Sequence, residues 1–169
     1  RFLQIKPKIL FITDKYFYNG KEINILERVP KILEKIKSIQ YVVFINYPGE
    51  KYLPNKYKFK KVNIFSWDKL KKIKSKKIKF SKFDFEKELA ILYSSGTTGK
   101  PKCICHRSGG VLLQHVKEHQ LHCNIKENDN VFYFTTCGWM MWNWLVSVLA
   151  SKASIVLFDG SPMFKKKDL

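Results

Sequence analysis

The feature that most constrains the fold is a strand–helix–strand pattern near the start of the chain. Residues 6–14 (KPKILFITD) form a short apolar run, which predicts a buried strand. Residues 24–38 repeat apolar side chains at three- and four-residue spacing, which predicts a helix whose first turns Pro30 should kink or delay. Residues 40–46 (QYVVFIN) predict a second strand. Two strands joined by a helix run parallel, so the pattern favours an α/β fold built on a parallel sheet.

The rest of the chain continues this mixed pattern. A short strand running into a helix is predicted at 62–70, and strands are predicted at 90–93 and 102–106. A helix, a strand, a second helix and a final strand are then predicted at 111–123, 131–136, 139–150 and 154–160. No internal repeat is visible. The whole chain therefore fits layered βαβ units of a single α/β fold class.

The formal net charge of +18 raises the possibility of nucleic-acid binding. Of the 32 basic residues only three are arginine, Arg1, Arg28 and Arg107, whereas base-specific contacts favour the guanidinium group. Seven lysines lie within the segment 69–79, which is typical of a solvated surface. We expect no specific nucleic-acid partner, and a basic nucleic-acid-binding fragment remains the alternative of a different functional class.

A glycine-rich loop, YSSGTTGKPK at residues 93–102, directly follows a predicted strand. Its glycines allow backbone N–H groups to approach a polyphosphate, its hydroxyls add hydrogen bonds, and its lysines offset negative charge. It is not a Walker A loop, because only two residues separate Gly96 from Gly99 and Pro101 follows Lys100. From composition alone, an ordinary flexible hairpin remains equally open.

A second unusual segment, TTCGWMMWNW at residues 135–144, places three tryptophans and two methionines beside a glycine. Such a cluster fits a hydrophobic core, because aromatic and thioether groups fill irregular apolar space. It also follows a predicted strand of a parallel sheet, and the carboxyl ends of such strands are where open α/β sheets bind ligands. Both interpretations, core and pocket, remain open from the residues alone.

The segment SSGTTGKPK resembles the phosphate-loop signature of the adenylate-forming acyl-CoA synthetase superfamily. The narrower pattern TT-x-GWMMWN, followed by IVLFDGSP, is similar to the acetoacetyl-CoA synthetases. The resemblance implies that the loop contacts the β- and γ-phosphates of ATP through Ser94, Ser95, Gly96, Thr97, Thr98, Gly99 and Lys100. It implies that Thr97 also touches ATP-bound Mg²⁺. It further implies that the acyl pocket is bounded by Trp139, Met140, Met141 and Asn143.

The resemblance implies an ATP-dependent acid–thiol ligase of lipid metabolism that forms acetoacetyl-CoA from acetoacetate, ATP and CoA through an acyl-adenylate. Acetyl- or propionyl-CoA synthesis is the alternative within the same superfamily. The chain begins at Arg1, so we expect it to be an incomplete part of a large N-terminal AMP-binding domain. The expected parts are a βαβ unit at 1–61, a basic connection at 62–88, and the loop and acyl-pocket region at 89–169. The C-terminal domain and the remaining catalytic residues are expected beyond Leu169, so this chain alone should be inactive.

Three other interpretations concern cysteines, histidines and an apolar run. The sequence shows no secretory segment, so we expect a cytoplasmic location and free thiols at its four cysteines, Cys103, Cys105, Cys123 and Cys137. A zinc site is the alternative for five side chains of types that bind zinc: Cys103, Cys105, His106, His115 and His119. No Cys-x-x-Cys pair occurs, however, and we expect no zinc site.

Residues 131–151 lack charge over 21 positions, but polar residues near their middle favour a strand, a turn and a helix over a membrane span. The oligomeric state cannot be derived from the sequence.

Overall fold

The computed structural model describes residues 1–47, 59, 62–74, 77–94 and 99–163. The chain forms two compact units, one of Arg1–Ile78 with the segment that begins at Asp159, and one of Lys79–Phe158. The expected division at 61 and 88 concerns parts of the parent domain and stays a prediction.

The first unit is built on a three-stranded parallel sheet. Its elements are α1 (Phe2–Ile5), β1 (Ile9–Thr13), β2 (Lys15–Tyr18), β3 (Lys21–Asn24), α2 (Val29–Lys35), β4 (Tyr41–Ile45), β5 (Asn63–Ser66) and α3 (Trp67–Lys71). The strand order is β1-β4-β5, and β4 pairs in parallel with both neighbours. The predicted strand, helix and parallel strand at the start of the chain are therefore confirmed.

The core of this unit lies around the central strand β4. Val42, Val43 and Phe44 are all buried, which explains why this strand is continuously apolar instead of alternating. Val29 of α2 is fully buried in the same cluster, together with Leu26 just before that helix. The apolar spacing that predicted the helix thus marks the residues that cover the sheet.

The sequence prediction was wrong about where this helix begins, because it included residues 24–28 and the helix starts at Val29. Residues 15–24 form an antiparallel hairpin of β2 and β3, and only a 3₁₀ turn at Leu26–Arg28 precedes the helix. The hairpin turn is Asn19-Gly20, where both residues have positive φ angles of 50° and 70°. An Asn-Gly pair favours this turn because both residues tolerate the left-handed conformation. Pro30 lies in the first turn of α2, where its missing N–H has no helical partner to lose, so it starts the helix without kinking it.

The second unit combines an antiparallel and a parallel strand pair. Its elements are β6 (Glu88–Tyr93), β7 (Cys103–Arg107), α4 (Ser108–Val116), β8 (Asn130–Phe132), α5 (Met140–Ser147) and β9 (Ser154–Val156). A π-helical segment at Lys117–His122 prolongs α4, and a 3₁₀ turn at Val148–Ser151 prolongs α5. The strands β8 and β9 pair in parallel, as expected of strands joined through a helix.

The uncharged run at 131–151 is divided among β8, an irregular segment, α5 and the following turn. The predicted strand at 131–136 ends at Phe132. No helix among the described residues combines the length and the hydrophobicity that crossing a bilayer requires.

Candidate functional site

The glycine-rich loop connects β6 to β7, whose antiparallel pairing ends at Tyr93 and Cys103. Ser94 closes the base of the loop: its amide donates to the Lys102 carbonyl at 3.0 Å, and its hydroxyl accepts from the Lys102 amide at 3.1 Å. The structure therefore holds both ends of the loop together at one strand edge.

Of the other predicted phosphate-binding residues, Gly99 and Lys100 are described and exposed. Gly99 has a φ of 155°, a backbone conformation that residues with a Cβ rarely adopt. Within the described part of the chain, Lys100 forms no ion pair, which leaves its ammonium group available for an anion. The remaining predicted loop residues lie outside the described residues: Ser95, Gly96, Thr97 and Thr98.

A cavity of about 400 Å³ lies within the second unit beside these strands. It is lined by residues of β6, β7, α4 and the first turn of α5. Its lining consists of Leu89, Ala90, Leu92, Cys105, His106, Arg107, Gly110, Val111, Gln114, His115, Met140 and Asn143. A mostly apolar lining with a few polar groups is typical of small-molecule sites.

Two of the four predicted acyl-pocket residues line this cavity. Met140 and Asn143 are three positions apart on α5, so they share one helix face. Trp139 precedes the helix and is 69 % exposed, and Met141 is half-buried outside the cavity lining. The aromatic–methionine segment therefore contributes to the cavity through its helical part.

The start of α4 is fixed by close contact with the segment before β6. The amides of Ser108 and Gly109 donate to the carbonyls of Lys87 and Phe85 at 2.8 and 3.0 Å. A Cβ at Gly109 would overlap the Phe85 ring, whereas a Cβ at Gly110 would meet no atom within 4 Å. Only a glycine at the first of these two positions allows the helix to approach so closely.

Two histidines of the helical segment that follows β7 are buried against α5. His115 Nδ1 lies 2.7 Å from the Ser147 hydroxyl, which donates to the Trp144 carbonyl at 2.8 Å. His119 Nε2 lies 3.0 Å from the same carbonyl, and its ring makes an edge contact with the Trp144 indole. A carbonyl only accepts, so His119 carries its proton on Nε2. Its buried Nδ1 has no hydrogen-bond partner among the described residues, as expected of this tautomer's lone pair.

The environment keeps both imidazoles neutral. Burial lowers the pKa of His115, and the nearby His119 and His106 lower it further, because like charges oppose protonation. Burial also lowers the pKa of His119, more than its bond to the Trp144 carbonyl raises it. Both groups therefore act as neutral hydrogen-bonding side chains near pH 7.

From the sequence these histidines were considered as zinc ligands, and exposed or packed side chains were favoured instead. Within the described ranges, no group of three or more His, Cys, Asp or Glu side chains is arranged to hold a metal ion. The four cysteines are free and exposed. The spacing of His115 and His119 by four residues indicates a shared helix face, but no local pattern indicates that this face contacts α5.

Comparisons with known proteins agree on one family. The family model described as "AMP-binding enzyme" matches residues 3–169. The acetoacetyl-CoA synthetase of Gallus gallus is 45 % identical over 166 residues, covering 96 % of this chain and 25 % of that protein. The malonamoyl-CoA synthetase vrtB of Penicillium aethiopicum is 39 % identical over 168 residues, covering 97 % of this chain and 23 % of that protein. The chain thus spans about a quarter of the length of the curated relatives it matches.

A solved structure has the same fold. The acetoacetyl-CoA synthetase from Streptomyces lividans matches with a TM-score of 0.87 and 36 % sequence identity, over 99 % of this chain and 25 % of that one. The α/β fold class expected from the sequence is therefore confirmed, and the chain corresponds to about a quarter of that solved chain.

Proposed function

The chain belongs to the AMP-binding enzyme family, and from that premise we propose that the polypeptide containing it is an acid–thiol ligase that makes acetoacetyl-CoA. In the first half-reaction a carboxylate oxygen of acetoacetate attacks the α-phosphorus of ATP, and the bond to pyrophosphate breaks. In the second, the CoA sulfur attacks the acyl carbon, the thiol loses its proton, and AMP leaves. The observation that carries the proposal is the likeness of nearly the whole chain to synthetases named for this product.

The acyl group is proposed to be short and to bear a carbonyl on its β-carbon. Acetoacetyl and malonamoyl groups, the products named for two of the relatives, share this carbonyl and differ in the group attached to it. A cavity of about 400 Å³ has room for an acid of this size. Met140 offers an apolar surface for the chain, and Asn143 offers an amide for a polar atom.

The glycine-rich loop is proposed to bind the β- and γ-phosphates of ATP. The closed base at Ser94 and the exposed Lys100 support this role, because pyrophosphate leaves with additional negative charge that a fixed cation and backbone amides stabilise. The proposed contacts are those of Ser94, Ser95, Gly96, Thr97, Thr98, Gly99 and Lys100, with Thr97 also touching ATP-bound Mg²⁺. The proposed acyl pocket consists of Trp139, Met140, Met141 and Asn143.

The 169-residue chain is proposed to be inactive by itself, since it spans only about a quarter of its relatives. A cytoplasmic location forms part of the proposal, because four exposed free thiols suit a reducing compartment.

The test is acid-dependent ATP–pyrophosphate exchange by the complete polypeptide that contains this chain. Exchange should be fastest with acetoacetate, by about tenfold or more in kcat/KM over acetate and propionate, because a pocket built for a polar group discriminates against analogues that lack it. Preference for acetate or propionate would favour the alternative ligase. Absence of exchange with every acid would contradict the ligase proposal and favour the basic-fragment hypothesis.

A pair of lysine variants separates the loop's role from general charge. Lys100→Gln should slow exchange about 100-fold, the usual effect of removing one group that stabilises transition-state charge. Lys74→Gln removes an equally exposed lysine from the basic segment of the first unit and should leave exchange unchanged. Equal losses in both variants would argue for a nonspecific charge effect.

A further inference from the structure

His115 differs from the other polar residues that line the cavity. Arg107 forms ion pairs with the carboxylates of Glu86 and Glu88 and donates a hydrogen bond to the Glu86 carbonyl. The Gln114 amide donates to the Glu118 carboxylate at 3.1 Å. His115 is 8 % exposed and held through Nδ1 by Ser147, while its Nε2 makes no hydrogen bond with any described residue. One ring nitrogen is thus fixed and the other is left for a molecule in the cavity.

The proton positions around Ser147 allow His115 to donate from Nε2. The Ser147 hydroxyl has one proton: without a ligand it goes to the Trp144 carbonyl, so that His115 Nδ1–H donates to the hydroxyl oxygen, and with a ligand carbonyl at Nε2 it turns to His115 Nδ1. In the second arrangement Nδ1 accepts, so the proton of the neutral ring lies on Nε2. The Trp144 carbonyl keeps its hydrogen bond from His119 Nε2 at 3.0 Å, so it is not left unsatisfied.

The orientation of the ring is set before any ligand arrives. The 2.7 Å contact to Ser147 and the burial of the ring restrict its rotation, and α4 and α5 hold the two partners. A fixed donor loses little conformational freedom on binding, so it discriminates better than a mobile one. Two other polar side chains line the cavity, Asn143 and His106. Neither has a hydrogen bond to a described residue that would fix its orientation as Ser147 fixes His115.

We propose that His115 is a specificity-determining residue whose Nε2–H donates a hydrogen bond to the carbonyl oxygen on the β-carbon of the acid. Ser147 is its positioning residue, because it fixes the ring and supplies the proton arrangement that this tautomer needs. The inference rests on the proposed ligase function and deepens it. It identifies the group that separates acids with a β-carbonyl from acids with a methylene at that position.

The test compares acetoacetate with butyrate, which has a methylene in place of the β-carbonyl. Two substitutions separate the two ring nitrogens. His115→Asn keeps a polar atom near the position of Nδ1, and so the contact to Ser147, but removes the atom at Nε2. His115→Gln retains an amide near the position of Nε2. The readout is the ratio of kcat/KM for the two acids in ATP–pyrophosphate exchange by the complete polypeptide.

His115→Asn should lower the acetoacetate-to-butyrate ratio about tenfold or more, with most of the change in the acetoacetate value. His115→Gln should keep the ratio within about threefold of the wild-type value. His122→Asn, an exposed histidine outside the cavity lining, should leave both acids unaffected. Hydrogen exchange of the α4 amides verifies that each variant is folded.

Two results would overturn the proposal. An unchanged ratio in a folded His115→Asn variant would show that Nε2 does not contact the acid. Equal losses for both acids, in step with faster hydrogen exchange, would show a structural role only. Failure of the ligase function itself is recognised separately, because the wild-type polypeptide would then show no exchange with any acid, and the specificity proposal would fall with it.

Discussion

Replacing Gly109 with alanine should destabilise the start of α4, whereas the same change at the adjacent Gly110 should stabilise it. At Gly109 the new Cβ would overlap three atoms of the Phe85 ring, Cγ among them, so the whole ring must move. The backbone there cannot retreat freely, because the Gly109 amide is bonded to the Phe85 carbonyl at 3.0 Å. At Gly110 the new methyl group would meet no atom within 4 Å.

The expected magnitudes follow from overpacking and from helix propensity. Forcing an extra methyl group into a filled site costs about 1–3 kcal/mol, which corresponds to about 5- to 150-fold in a local unfolding equilibrium. Alanine in an open helical position gains about 0.5–1 kcal/mol over glycine, or about two- to fivefold. Native-state hydrogen exchange of the α4 amides measures both, since those amides exchange through local opening. Exchange should become faster in Gly109→Ala and slower in Gly110→Ala.

The cause is tested by adding Phe85→Ala to Gly109→Ala. Phe85 is 55 % exposed, so its removal alone should cost little, and it eliminates the overlap. In the double variant, exchange of α4 should return to the rate of Phe85→Ala or slower. If the two glycine variants shift exchange in the same direction, or if the double variant shows no coupling, the close approach of α4 to Phe85 is not what selects glycine there.

Two further predictions concern the contact between α4 and α5. Because burial lowers the pKa values of His115 and His119 in the folded chain, stability should be constant above about pH 6.5 and should fall as the pH decreases below it, since the unfolded chain takes up those protons first. Thermal unfolding between pH 5 and 8 measures this, and an unchanged slope in His119→Phe would contradict it. Leu145→Ala should accelerate amide exchange in α5 by the equivalent of about 2–5 kcal/mol, because Leu145 is 1 % exposed. Leu149→Ala, at a site 53 % exposed, should change it by less than about 0.5 kcal/mol, and equal effects would argue against the packing described here.

The elements that were predicted correctly are those whose burial determines the local pattern of apolar and polar residues. The strand β4 is central in its sheet and buried, so its sequence is a continuous apolar run. The hairpin of Lys15–Tyr18 and Lys21–Asn24 was not predicted, because its strands are mostly exposed and show little apolar alternation. The Asn19-Gly20 pair is the local indication of its turn.

The glycine-rich loop was recognisable from sequence because its residues are contiguous, and its proposed role in phosphate binding needs glycines and hydroxyls that follow one another along the backbone. The cavity was only partly predictable. Met140 and Asn143 lie in a segment whose composition drew attention to it, and both line the cavity. Two residues of the same segment lie outside the lining: Trp139 precedes α5, and Met141 is on the helix, which presents only some of its residues to one side.

The pair formed by His115 and Ser147 shows why part of a site is invisible to local patterns. These residues are 32 positions apart and on different helices, so neither periodicity nor spacing records that they meet. A lone serine near the end of an apolar helix predicts only a bond to its own backbone, which Ser147 does make with Trp144. The second bond, between Ser147 and His115 Nδ1, holds the imidazole in place and leaves Nε2 without a hydrogen-bond partner among the described residues. Residues that determine specificity through such a contact are found from the packing of α4 against α5, and their effect is measurable as a ratio between two acids that differ in one oxygen atom.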